Sequence, residues 1–420
     1  MKMLRRLVNE GCVAPQDYVA AGVTLFTKRL AYLWKRLGPR PHSILLGGKR
    51  PSPANRDSDL NELLPFDPTL LTLEVVMTAV TRFFSKSSLA LFLGLSFSAI
   101  AGCGGGGGQN GLGTGTVTAT PNYVATIKAA GQEALPLAVD PTSNLVAVLN
   151  EGSNSMSFID GSSNAVTSTV AVGPSPLSVA VNAKTGLAYV ANSMNNTVSV
   201  VNTTSDATIA TVAVGQGPES VSVNSTTGLV YVANSGDSSV SVIDGASNTT
   251  TATIALPAKP TAIQVDPATN MVYVASSSGN SVLAIDGSSN AVTQTIGIGV
   301  SSPGTPLTPV ALDVDTATDM VYVADLGNTV SVLNGSTNKL AASVIVGNVP
   351  SGIAVDQSTN MVYVVNSGDN TVSVIDGTSN AVSNTLDVAL NSFGVAVDGA
   401  TNLVYVSSGT SIGVLKGVGN

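Results

Sequence analysis

The 420 residues carry a formal net charge of −8, and this figure hides two unlike parts. Residues 1–102 hold 13 Lys and Arg against 7 Asp and Glu, whereas residues 103–420 hold five Lys, no Arg and 19 acidic residues. An acidic chain without arginine excludes nucleic acid as the partner of the long second part, because phosphate contacts come mostly from Arg and Lys. Cys12 and Cys103 both precede the repetitive region described below, so no disulfide framework staples it.

In chain order, residues 1–76 come first and have two readings. Either translation starts at Met77 and the upstream stretch is not native, or it is a genuine cytoplasmic or amphipathic extension, since 23–38 (VTLFTKRLAYLWKRLG) is basic and apolar. Residues 77–102 form an export signal, with a basic start at Arg82 and Lys86 and an apolar run from Leu89 to Ile100. About a dozen apolar residues are too few for a hydrocarbon core that needs roughly 20, but they suit a signal-peptide core. The end of the signal, Ile100-Ala101-Gly102-Cys103, resembles the lipobox of bacterial lipoproteins. The resemblance implies cleavage before Cys103, acylation of its thiol and new amino group, and a place in the cell envelope. Gly104 after the cysteine implies sorting to the outer membrane or cell surface. Residues 103–121 then read as a Gly-rich tether, because CGGGGGQNGLGTGT has nothing to bury.

From 122 to 417 the chain repeats itself. YVAN occurs at 189–192 and 231–234, YVAS at 273–276, YVAD at 322–325, YVVN at 363–366 and YVSS at 405–408, with AVLN at 147–150 as an earlier copy. A period near 42 residues indicates a solenoid, propeller or array. Within one copy, Gly352–Val355, Met361–Val365, Thr371–Ile375 and Ala381–Val388 are β-branched apolar runs separated by turn residues such as DQSTN and DGTSN. Four antiparallel strands per period describe a propeller blade. The last copy supplies three strands and stops, while 122–129 (NYVATIKA) matches the missing fourth. The fold class is therefore all-β: a seven-bladed propeller whose N-terminal strand closes the last blade and leaves no free edge.

These copies resemble the YVTN-type β-propeller repeats of bacterial and archaeal surface proteins. The resemblance rests on Y-V-x-N followed by a V-S-V-I-D-G run and covers roughly 122–417. Two copies depart from it: the first has Ala147 in the Tyr place, and the third strand of the second reads VSVVNT (198–203), without Asp-Gly. The family pattern implies the fold and carries no particular activity.

Antiparallel order places the one–two and three–four turns on one side, where they are short and uniform. The two–three loops and the connections between blades share the other side, together with the extra residues of 300–308. Recognition is usually built by loop variation on a rigid scaffold, so the candidate binding face includes Asn192, Asn234, Asp325, Asn366 and Asp369. The same asparagines can instead cap strands and start turns. No metal site or cofactor is expected, since each loop offers at most one carboxylate where Ca²⁺ takes six to eight oxygens. Beyond Cys103, the mature chain has no His, Arg or Cys, so a Ser-His-Asp or Cys-His arrangement is impossible. The expected function is that of a non-catalytic, monomeric lipoprotein scaffold for a protein or glycan partner. The alternative is an extracytoplasmic lactonase- or lyase-like enzyme using carboxylates alone.

Overall fold

The computed structural model describes residues 123–129, 131, 134–299 and 307–418. The chain divides at Gly111/Leu112, and all described residues belong to the second unit, Leu112–Asn420. The 1–76 extension, the signal, Cys103, the tether and most of the 300–308 insertion lie outside the described residues.

The described chain forms seven four-stranded antiparallel sheets. In the first blade, β2 (Ala134–Asp140), β3 (Leu145–Asn150), β4 (Ser155–Asp160) and β5 (Ala165–Ala171) pair in sequence order. The last sheet is β26 (Val395–Asp398), β27 (Leu403–Ser408), β28 (Ser411–Lys416) and then β1 (Tyr123–Lys128) from the other end of the chain. β1 pairs antiparallel with β28 in the register Tyr123↔Leu415, Thr126↔Gly413 and Lys128↔Ser411. The expected closure is thus observed. β26 is short at four residues, although pairing resumes before it: Phe393 N donates to Ser407 O and Ser407 N to Gly394 O.

Five inner strands begin with proline, as in β6 (Pro176–Asn182), β10 (Pro218–Val223), β14 (Pro260–Asp266), β18 (Pro309–Asp315) and β22 (Pro350–Asp356). Proline has no N–H to give the ladder, so the first position of an edge strand tolerates it, and the register slips just after each of these prolines. The turns use the expected chemistry. Asp140 and Asp398 each accept a backbone N–H two residues on and a hydroxyl three residues on. Asn144, Asn164, Asn248, Asn290 and Asn380 close such turns with φ between 51° and 55°, a region Asn enters at low cost.

The core lies between the blades. Seven buried apolar clusters occur among the described residues, and each draws on two successive blades. One of them joins Ile127, Ala396, Tyr405, Ile412 and Val414 of the last blade to Leu137, Val146, Val148 and Ile159 of the first. Six tyrosines of the repeated motif, 189, 231, 273, 322, 363 and 405, are fully buried.

These tyrosines explain the Asp-Gly turns. A Cβ on Gly161, Gly245, Gly287, Gly335 or Gly417 would come within 2.7–3.0 Å of a hydroxyl, that of Tyr405, Tyr189, Tyr231, Tyr273 and Tyr363 respectively. In each pair the tyrosine belongs to the preceding blade. A side chain from the glycine's own one–two turn can crowd the same space, as Asn144 does at Gly161. The third blade has Gly228 at that place and still keeps Gly245, where the Tyr189 hydroxyl remains. The second blade follows Ala147 and has Gly186 in its own turn, so both obstacles are gone. There Thr203 stands in place of the glycine, and its hydroxyl donates to Gly186 O at 3.1 Å. The two sequence departures are therefore one structural event. The missing aromatic volume returns from the next strand, where buried Phe158 pairs directly with Ala147.

Candidate functional site

The face formed by the two–three loops and the inter-blade connections is tied together by side-chain amides and carboxylates. Asn192 donates from Nδ2 to Thr197 Oγ1 and Ser199 Oγ, Asn234 to Ser239 and Ser241, and Asn366 to Thr371 and Ser373. All three asparagines are fully buried. Each also fills the space beside a glycine of its own blade's leading connection, Gly173, Gly215 and Gly347, where a Cβ would collide with the amide. These asparagines are footings of the loops, pinning the second strand to the third, and their amides do not reach solvent.

Asp369 differs. It is exposed, and its carboxylate accepts both Asn348 N and Asn348 Nδ2 at 2.6 Å. Asp237 likewise accepts Gln216 N and Ser239 Oγ. Neighbouring blades are stitched by Asn196 Oδ1, Asn328 Oδ1 and Asn370 Oδ1, which accept from Gly217 N, Val349 N and Asn391 N. The rim is therefore a hydrogen-bonded belt. Five large apolar side chains emerge from its loops, Met194, Leu326, Val349, Leu390 and Phe393, at 75%, 47%, 45%, 73% and 42% exposure, and Ile345, opposite Thr329 at the same end of its strand, is 79% exposed.

Asp325 takes the place that Asn holds in four other blades and is fully buried. Its Oδ2 accepts Ser331 Oγ at 2.8 Å, while Oδ1 has no hydrogen-bond partner. Burial pushes its carboxyl up to about 7, against the pull of the Ser331 and Thr329 hydrogen bonds.

A second polar feature runs along the inner strands, and sequence reasoning missed it. The first-strand residue paired with the motif Tyr, or with Ala147, is Ala138, Ala180, Ala354 or Ala396 in four blades, and Ser222, Gln264 and Asp313 in the other three, which are consecutive. Ser222 Oγ donates to Gln264 Oε1 at 2.9 Å, and Gln264 Nε2 donates to Asp313 Oδ1 at 2.7 Å. Asp313 Oδ2 accepts Val355 N of the next blade at 2.8 Å, and Ser222 Oγ accepts Val265 N. Inner strands are edge strands, with N–H groups unpaired in their own sheet, and this rail satisfies two of them. Burial pushes the Asp313 carboxyl up to about 6, although the Val355 and Val314 N–H groups and the Gln264 amide stabilise its charge. The signal that could have found the rail was three polar residues in a register otherwise held by alanine.

Asp313 pairs with Tyr322 and Asp325 with Pro309 across β18 and the strand after it, so the two raised carboxyls sit three residues apart along the ladder. At ~3.3 Å per residue they stand about 10 Å apart, each engaged in its own hydrogen-bond set. Among the described residues, no three His, Cys, Asp or Glu gather closely enough to hold a metal ion.

No family model matches this chain. No curated protein matches it either. Among solved structures, it is similar to a chain of Kuenenia stuttgartiensis hydrazine synthase, with a TM-score of 0.62 at 17% identity over 74% of this chain and 100% of that one. At that identity the likeness shows the β-propeller fold alone.

Proposed function

We propose that the protein is a non-catalytic cell-envelope lipoprotein whose propeller, built from YVTN-type repeats, is a binding scaffold for a protein or glycan. In this reading residues 77–102 are the signal peptide, Cys103 carries the lipid and 103–121 are the tether. The observation that carries it is the contrast between the two faces. One has uniform tight turns; the other has a stiffened belt of differing loops from which isolated apolar side chains protrude, and exposed apolar surface marks interaction sites. A rigid rim also limits the ordering cost of association. Photo-cross-linking from position 194 or 390 on intact cells tests the scaffold. Capture that persists unchanged when Leu326, Val349 and Phe393 are all replaced by Ser would refute it. Mass spectrometry of the mature N-terminus tests the lipid on Cys103.

Asp313 favours a second reading, a lactonase- or lyase-like enzyme, because a carboxyl near 6 suits general acid–base work near neutral pH. It predicts a hydrolytic or eliminative activity toward a small extracellular substrate such as a lactone, one that falls at least a hundredfold in D313N. Hydrolysis that is the same in both proteins would dismiss it.

A further inference from the structure

Strand order fixes where the chain enters and leaves the propeller. The third strand of every blade runs from the variable-loop face to the tight-turn face, and the fourth runs back. β1 is the fourth strand of the last blade, so Tyr123, opposite Leu415, lies at its tight-turn end. Lys128, opposite Ser411, lies at the variable end, where Ala129 N donates to Thr410 O. The chain leaves by the same side as it enters. β28 ends at Lys416, Gly417 N donates to Asn402 O of a one–two turn, and Val418 N donates to the Tyr363 hydroxyl at 2.7 Å.

Both faces are acidic, the tight-turn one more so. Its one–two turns carry six Asp and its three–four turns five, with Lys184, Lys339 and Lys416 at or beside them, while the variable face carries Glu151, Glu219, Asp237, Asp325, Asp369 and Asp387 with Lys128 and Lys259. Asp160, Asp244, Asp286 and Asp376 stay ionised in mild acid, because the N–H two residues on and the Ser hydroxyl three residues on hold their carboxyls below the ordinary range. All five apolar side chains that protrude from the variable loops lie on the opposite side.

We infer that the propeller hangs from its acidic tight-turn face and presents the variable-loop face outward, away from the membrane that holds it. This rests on the proposal that Cys103 is the anchor. Twenty residues separate Cys103 from Tyr123, at most ~70 Å of chain at ~3.3–3.6 Å per residue, so the point of attachment sets the bias. Anionic headgroups repel the carboxylates of the near side and so work against this bias, an effect that weakens with salt over a Debye length of ~8–10 Å.

The experiment places one dye on each face of the same blade, at S205C in a three–four turn and at M194C in a two–three loop; both positions are exposed. The lipidated protein is reconstituted into phosphatidylcholine vesicles carrying a headgroup quencher. A six-residue strand spans ~20 Å, so the dye at 205 is expected to be quenched roughly twofold more than the dye at 194. Equal or reversed quenching overturns the orientation. A parallel pair carrying an N-terminal His-tag on nickel-chelating lipids gives the same comparison without acylation. Failure of the lipid reading then shows as an unmodified Cys103 by mass, separate from failure of the geometry.

Discussion

Replacing Asp325 by asparagine tests how one buried position is used. In sister blades an amide at this place donates to two hydroxyls; Asp325 instead faces Ser331 Oγ, which also lies 3.3 Å from Ile298 O. One hydroxyl proton cannot serve both oxygens. A protonated Asp325 resolves this by donating to Ser331, which then donates to Ile298, so the neutral acid imitates the amide. The folded carboxyl titrates near 7 and the unfolded one near 3.8. The native state therefore binds the proton more tightly, and the stabilisation is complete below the unfolded value and is lost as pH rises through about 7. At ~1.4 kcal/mol per pH unit times the proton difference, Asp325 costs about 1.4 kcal/mol between pH 6 and 8, while Asp313, titrating near 6, costs about 0.4. D325N should keep only the smaller loss and exceed the wild type at pH 8, with a ceiling of about 4 kcal/mol. Urea unfolding followed by circular dichroism at both pH values measures this. Equal losses in the two proteins, or a D325N variant less stable than wild type at pH 8, would refute the reasoning.

The first blade offers a second test. A147Y/F158V copies its sister blades but drives a hydroxyl toward Thr203, and should lose ~1–3 kcal/mol as an overpacked core does; adding T203G should restore most of it. Recovery absent in the triple variant would break the link between the two departures. Ile127 is 4% exposed on the strand that seals the ring, and I127A should cost ~2–5 kcal/mol and speed amide exchange across β28. Exchange that quickens in another blade first would contradict closure by β1. If Cys103 carries the proposed lipid, replacing it by Ser should abolish acylation and release the protein from the membrane fraction; unchanged partitioning would count against that anchor.

The period, the blades and the closure were legible in the sequence because a two-residue alternation and turn residues recur at every copy, so each element is stated several times over. The footings were legible in type: Asn at a strand end is a capping residue. Their total burial was not, because it depends on Gly173, Gly215 and Gly347 lying one strand pair away. The dependence of Thr203 on Ala147 was hidden for a similar reason. They are 56 residues apart and belong to different copies, and period-by-period alignment compares equivalent places, whereas the Tyr–Gly approach in the other blades joins unlike ones. Asp313 was read past because a carboxylate in mid-strand carries no local signal; its partners come from the blades on either side.

The pairing of β1 with β28 also governs the order of assembly. Of the propeller strands β1 is made first and its partner β28 last, so β1 must wait through the synthesis of every intervening blade. Until then the newest blade stands with one flank bare, and sealing is a single late event that commits all seven together. A chain truncated anywhere upstream of Ser411 loses this lock entirely, and proteases would be expected to remove it rather than leave a nearly finished molecule.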